Sequence, residues 1–307
     1  MSDPRGGALA SPQATARVSP VLGQHEWWPL AVTHRERAQS MIGEHVSRRV
    51  AGQKHPVEDF LFDYYAFRPG HLLRWHPGPG VGLRDASEHA SWPSYRTDGG
   101  VTSLDLADFR NRRGKAVRFV HDLLVRTHSR PAVFGCFGLH EWAMVYRQDA
   151  GAVRHQSLPL RLGAAGTDTF VEAHELRCTH FDAFRFFTPT AAPRNTLQPT
   201  RETQAMNEQP GCLHGGAMDL YRWAFKLSPG IPSDLLLDCF ALARTARVLD
   251  MRSSPYDTSS LGYPNIEIET NEGKAEHVRQ QRAISEASAP LRLRLIDAVA
   301  TLLGDRF

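Results

Sequence analysis

Lysine is almost missing from this chain: of 36 basic residues only 4 are lysine and the rest are arginine. Cysteine is sparse as well, with Cys136, Cys178, Cys212 and Cys239 set 42, 34 and 27 residues apart. No Cys-x-x-Cys pair occurs, which excludes the usual zinc-finger and thioredoxin-like arrangements. No apolar run approaches the roughly 20 residues of a membrane span. Met1 to Pro20 also lacks the apolar core of a secretion signal, so a reduced, cytoplasmic protein with no membrane partner is expected. Internal repeats and linkers are absent too. What remains is ample for a core: 307 residues, 41% hydrophobic and 22% charged, are neither a disordered chain nor a fibre.

The periodicity predicts a mainly α fold, a single helical domain over 25–307 with a small β element in the middle, preceded by a disordered arm over 1–24 rich in Ser, Pro, Gly and Ala. Helix formers fill 25–51. Pro56 with Glu58 and Asp59 signals another helix start, and a short helix follows at 72–75. Thr102 and Asp105 resemble a capping box for a helix to Arg130, striped by Leu106, Phe109, Ala116, Val120 and Leu124. Pro131 opens a helix to Arg147, and the alternation over 157–162 suggests a short strand. The polar stretch 189–211 reads as a long loop. Helices resume over 218–227 and over 234–251, the latter with Ser233 as N-cap, and the last runs over 274–303 with a break at Pro290.

Two segments concentrate imidazole, carboxylate and aromatic groups. The first holds His140, Glu141, Trp142 and Tyr146; the second, about 30 residues on, holds His174, His180, Asp182, Phe184, Arg185 and Phe187. On a helix from Pro131, Glu141 falls on the apolar face, where burial raises a carboxyl pKa unless a cation pairs with it. It is then either a general acid or base, or a core glutamate neutralised by an arginine. Asp182 carries the same two readings. His140, His174, His180 and His214 with one carboxylate could hold a metal, although the spacing matches no motif such as His-Glu-x-x-His; the alternative is that these rings satisfy internal hydrogen bonds. Gly211 to Gly216 could meet an anion at a helix start or simply begin the helix. Asn195 and Arg201 lie in a polar loop of the kind that reads ligands.

Four runs carry a resemblance: Lys54 to Phe62 (KHPVEDFLF), Phe137 to Arg147 (FGLHEWAMVYR), Cys178 to Phe187 (CTHFDAFRFF) and Asp219 to Lys226 (DLYRWAFK). They resemble a family of actinobacterial proteins commonly labelled 3-methyladenine DNA glycosylase, over most of the chain after His25. Pro77 to Gly82 is also similar to the Pro-Gly-Val-Gly hairpin of helix-hairpin-helix DNA-binding proteins, with Asp105 at the offset of a catalytic aspartate.

The family label implies a base-excision enzyme whose partner is duplex DNA carrying an alkylated purine, with no cofactor. Such an enzyme flips the base into a pocket and reads its edge. Trp142, Tyr146, Phe184 and Phe187 are available as walls for a cationic base, and Arg185, Asn195, Arg201 and His214 as polar contacts. Asp182 is the first choice for the carboxylate that assists hydrolysis and Glu141 the second, oriented by His180 or His140. Arg110, Arg112, Lys115 and Arg118 on the basic helix are the expected phosphate contacts.

Two alternatives stand beside this reading. One is an oxidoreductase or hydrolase acting on a small molecule through a divalent metal at His140, His174, His180 and His214 with Glu141 or Asp182. The other is a nucleic-acid-binding protein without catalysis. Arginine is spread evenly, but 14 of the 15 histidines lie at or before His214. The site is therefore expected between His140 and His214, with the last third as scaffold.

Overall fold

The computed structural model describes residues 20–304 apart from 150 and 152. Most of the predicted arm, 1–19, lies outside the described residues. The rest of it does not: Val21–Leu22 form strand β1, and helix α1 (Gln24–Val50) begins before His25, its first turn tied by the Gly23 N–H to Glu26 Oε2 at 2.7 Å.

The fold is mainly α with a small β element, and that element sits near the N-terminal end of the chain. After α1 come α2 (Phe60–Asp63) and a 3-10 turn (Pro69–Leu73). Next are β2 (Gly82–Arg84), α3 (Ser87–Ala90), β3 (Tyr95–Asp98) and β4 (Val101–Leu104). The strands order as β1-β2-β4-β3, with β1 parallel to β2 and the other pairs antiparallel. Gly99 and Gly100, at φ 54° and 76°, close the β3–β4 hairpin in the conformation that a two-residue loop between right-twisted strands requires. The helix-hairpin-helix expectation fails here. Gly82 opens a strand, and Asp105 is an N-cap whose Oδ1 accepts the Asp108 N–H at 3.0 Å. Thr102 is not in the cap; it lies in β4, bonded to Thr97.

Helix α4 (Leu106–His128) follows, burying Phe109, Val117, Val120 and Leu124. The helix expected from Pro131 is reduced to α5 (Leu139–Ala143). The backbone of Val133 is satisfied instead by the Gln209 side chain, which accepts its N–H and donates to its carbonyl, so no helical ladder is needed there. The 157–162 strand is absent apart from one bridge between Leu160 and Tyr256; α6 (Gly163–Glu172) begins immediately after. Further on are α7 (Phe181–Phe184) and a largely irregular stretch holding a 3-10 turn (Ala192–Arg194) and α8 (Gln204–Asn207). A π-helical turn (Leu213–Met218) then runs directly into α9 (Asp219–Lys226).

Helix α10 (Ser233–Arg252) lies at the centre, packed against α9, the π-helical turn and α11 (Asn271–Leu303). Ser233 is the first helical residue and not the cap; its hydroxyl accepts the His76 N–H at 2.8 Å and donates to the Arg74 carbonyl. Helix α11 continues through Pro290, because contacts with α4 and α10 on its buried side hold it where a proline would break an isolated helix. No helix among the described residues is long and apolar enough to cross a membrane.

Ser233 thus anchors a loop whose His76 ring is buried against His89, Trp92 and Tyr95. Burial holds its pKa down to about 3. The native state therefore keeps this ring neutral while the unfolded chain protonates it, so stability present above pH 6.5 is lost as the pH falls from 6.5 toward 3. At pH 5 the loss from this ring alone is about 2 kcal/mol. Urea unfolding at pH 7 and pH 5 should show His76→Phe losing less stability on acidification than the parent protein; equal losses would refute the assignment.

Candidate metal centre

The side chains of the site come from α5, the π-helical turn and α10, and the most buried charge organises them. Asp250, in the last turns of α10, has no solvent exposure. Its Oδ1 lies 2.9 Å from His140 Nε2 and its Oδ2 lies 3.4 Å from His214 Nε2, while the two Nε2 atoms are 3.1 Å apart. Despite that proximity, Asp250 Oδ1 has no aligned hydrogen bond. The two imidazoles are aligned with each other as a hydrogen bond, and one ligand atom from each of the three residues lies within 4.8 Å of the others. Tetrahedral ligands about 2.0 to 2.1 Å from a zinc stand roughly 3.3 Å from one another, so this donor set fits a small divalent cation. Three protein ligands leave positions open, as in catalytic centres.

The same contacts set the electrostatics of the group. Burial alone would push Asp250 up, but His140 and His214 hold it well below the carboxylate range. Burial also works against protonation of His140, yet Asp250 outweighs it and the ring lies above its ordinary value. Arg247, one turn back on α10 and 1% exposed, donates to Glu141 Oε1 at 2.6 Å and to Asp250 Oδ2 at 2.7 Å. Its guanidinium overcomes the desolvation of Glu141 and holds that carboxyl below the usual range.

A second group adjoins the first, the rings of His180 and His214 lying stacked at 5.4 Å. His180 caps α7, with Nδ1 2.5 Å from Glu208 Oε1 and Nε2 3.9 Å from Asp219 Oδ2. Burial lowers this ring's basicity, but Glu208 and Asp219 prevail and raise its pKa to about 9. Asp182 pairs with Arg222, which also stands 3.4 Å from Asp219. That guanidinium outweighs desolvation and keeps Asp182 below its ordinary value.

A cavity of about 20 Å³ reaches His140, His180 and His214, lined also by Cys136, Cys178, Cys212, Arg177 and Phe187. That volume suits a water molecule or an ion. Burial raises all three thiols, so they face it uncharged.

The structure thus gathers His140, His180, His214, Glu141 and Asp182, but both carboxylates carry an arginine. His174 lies apart, bonded to the Phe170 carbonyl and 3.0 Å from Lys274 Nζ. Trp142 and Tyr146 are core side chains: the indole donates to the Ser253 carbonyl, and the phenol donates to Glu172. Phe187 lines the cavity and Phe184 packs on the core beside it. Asn195 is structural, bonded to both the N–H and the carbonyl of Cys178. Arg185 and Arg201 flank Asp182 from the rim at 3.2 and 4.0 Å. On α4, Arg112, Lys115 and Arg118 are exposed, whereas Arg110 donates to the Leu302 carbonyl. Asp250, Arg247, Glu208, Asp219, Arg222 and His277 are additions that sequence reasoning missed. The legible signal for the first two was an Arg and an Asp three apart in a helix, at positions between the apolar residues Ala246, Val248, Leu249 and Met251.

His277, on α11, is fully buried with neither ring nitrogen bonded. Burial lowers its pKa to about 4, against the pull of Asp250. A Cβ on Gly138 would lie 3.0 Å from Ser253 Oγ, 3.6 Å from His277 Nε2 and 4.0 Å from Asp250 Oδ1, so this ring adjoins the site across Gly138. No family model, curated protein or solved structure matches the chain.

Removing Arg247 strands two buried carboxylates. Arg247→Met should cost about 3 to 5 kcal/mol in urea unfolding, and adding Glu141→Gln should restore part of it. A single-variant cost under about 1 kcal/mol would show that this network is not structural.

Proposed function

We propose that the chain is a metal-dependent enzyme, a hydrolase or oxidoreductase, acting on a small molecule through a divalent cation held by His140, His214 and Asp250. The observation that carries this reading is the convergence of three buried residues, each with one ligand atom within 4.8 Å of the others, beside a cavity of ionic size. A cation bound there supplies Lewis-acid polarisation of an oxygen reaching it from the cavity. The protein's own groups prepare that site. Arg247 fixes the Asp250 carboxylate and neutralises Glu141. The neutral Cys136, Cys178 and Cys212 keep the approach apolar.

Protein purified without a histidine tag should retain divalent metal by elemental analysis, and chelation should lower its Tm. Asp250→Asn should weaken retention at least tenfold. Metal-free protein whose Tm does not respond to Zn²⁺, Mn²⁺ or Co²⁺ would sink this reading.

Excision of alkylated purines is the second reading. It rests on the family resemblance and on the exposed basic residues of α4, Arg112, Lys115 and Arg118. It requires the small cavity to open to the size of a base, and it gives Asp182, held by Arg222, the hydrolytic role. On this reading methylated duplex DNA releases 3-methyladenine, Asp182→Asn abolishes release, and binding weakens steeply with salt. Binding without any base release would leave only a non-catalytic nucleic-acid-binding role.

A further inference from the structure

We infer that a second divalent cation binds beside the first, held by His180, Glu208 and Asp219, so that the interior is a two-cation centre. The inference rests on the metal reading above and extends it. One ligand atom from each of these residues lies within 4.8 Å of the others, and each residue is 1% exposed.

An unused lone pair is the independent pointer. Glu208 Oε1 is occupied by His180 Nδ1 and by the Gln204 amide at 3.3 Å. Glu208 Oε2 is buried and has no partner, an arrangement that costs free energy unless something fills it. The chain makes room for this oxygen. A Cβ on Gly215 would stand 1.5 Å from Oε2, so any side chain there would expel the carboxylate. Gly215 also follows His214, which ties the two groups to one π-helical turn.

Charge points the same way. Glu141, Asp182, Glu208, Asp219 and Asp250 are all buried; Arg247 pairs with Glu141 and Asp250, Arg222 with Asp182 and Asp219, and Glu208 with the His180 ring. Arg185, half-exposed, offsets Asp182 alone from the rim. Buried charges persist when paired or metal-bound, and one divalent cation at His140, His214 and Asp250 does nothing directly for Glu208.

The two donor sets differ in kind. The first offers two imidazoles and a carboxylate, the second one imidazole and two carboxylates, which is the harder set. Arg222, 3.4 Å from Asp219 Oδ2, competes for one of its oxygens. Arg247 does the same at Asp250 Oδ2, 2.7 Å away, so each site shares its aspartate with a buried guanidinium.

The test uses the full chain without a tag, stripped by chelator and titrated with Co²⁺ alone, bound cobalt being counted by elemental analysis and followed by visible absorption. The expected count is two per chain in the parent protein, one in His180→Gln and one in Asp250→Asn, with helical circular dichroism retained. If His180→Gln does not fold, Asp219→Asn is read in its place. A parent count of one leaves the metal reading standing and overturns the second site, whereas a count of zero overturns both. Two equivalents persisting in folded His180→Gln, or a fall there to zero, also overturn the assignment.

Discussion

An aspartate without solvent exposure, in the middle of a helical core, dictates much of what surrounds it. Asp250 sits on the buried side of α10, and isolated burial of its charge would cost far more than a domain's whole stability. Three elements therefore converge on it: α5 brings His140, the π-helical turn brings His214, and α10 itself brings Arg247. Arg247 in turn carries Glu141, and its guanidinium lies 3.8 Å above the Phe60 ring, which draws α2 into the same cluster. The short and irregular helices of the middle of the chain follow from this demand, since regular ones could not aim so many polar groups at one point.

The long helices were legible because their periodicity is a property of the segment itself. Phe109, Val120 and Leu124 on α4, or Leu235, Cys239 and Leu242 on α10, repeat at helical spacing and are buried on that face. The sheet was not legible. Strands of two to four residues are too short to show alternation, and the one local signal, Gly99-Gly100 between β3 and β4, stands without a periodic pattern on either side. Residues 131–138 failed for another reason. The backbone of Val133 is satisfied by Gln209, 76 residues away, which no local pattern announces.

The site divides along the same line. His140, Glu141, His180, Asp182 and His214 were visible as chemistry-bearing residues in aromatic surroundings. Their roles were not visible, because each partner comes from elsewhere: Arg247 is 106 residues from Glu141, and Glu208 is 28 from His180. A general base and a neutralised core carboxylate have the same sequence and differ only in whether a guanidinium arrives. Histidine density also set the boundary too early. The lone His277 in the last helix reaches the neighbourhood of Asp250 because α11 packs along α10.

Access to the centre is constrained by which wall can yield. Leu139, His140 and His214 form one side of the cavity, on elements locked to α10 by the Asp250 contacts and by the Trp142 bond to Ser253. The opposite side runs from Leu176 to Phe187 and contains only the four-residue α7. It is held by discrete polar ties: Asn195 to Cys178, His180 to Glu208 and Asp182 to Arg222. Segments fixed by a few side-chain bonds open at lower free energy than packed helices. Leu176, Cys178, Ala183 and Phe187 on this wall also pack into the core, so opening it requires both the ties and that packing to give way. Two of its three ties are ion pairs that also belong to the site, so a ligand that rearranges His180 or Asp182 loosens the same segment that admits it.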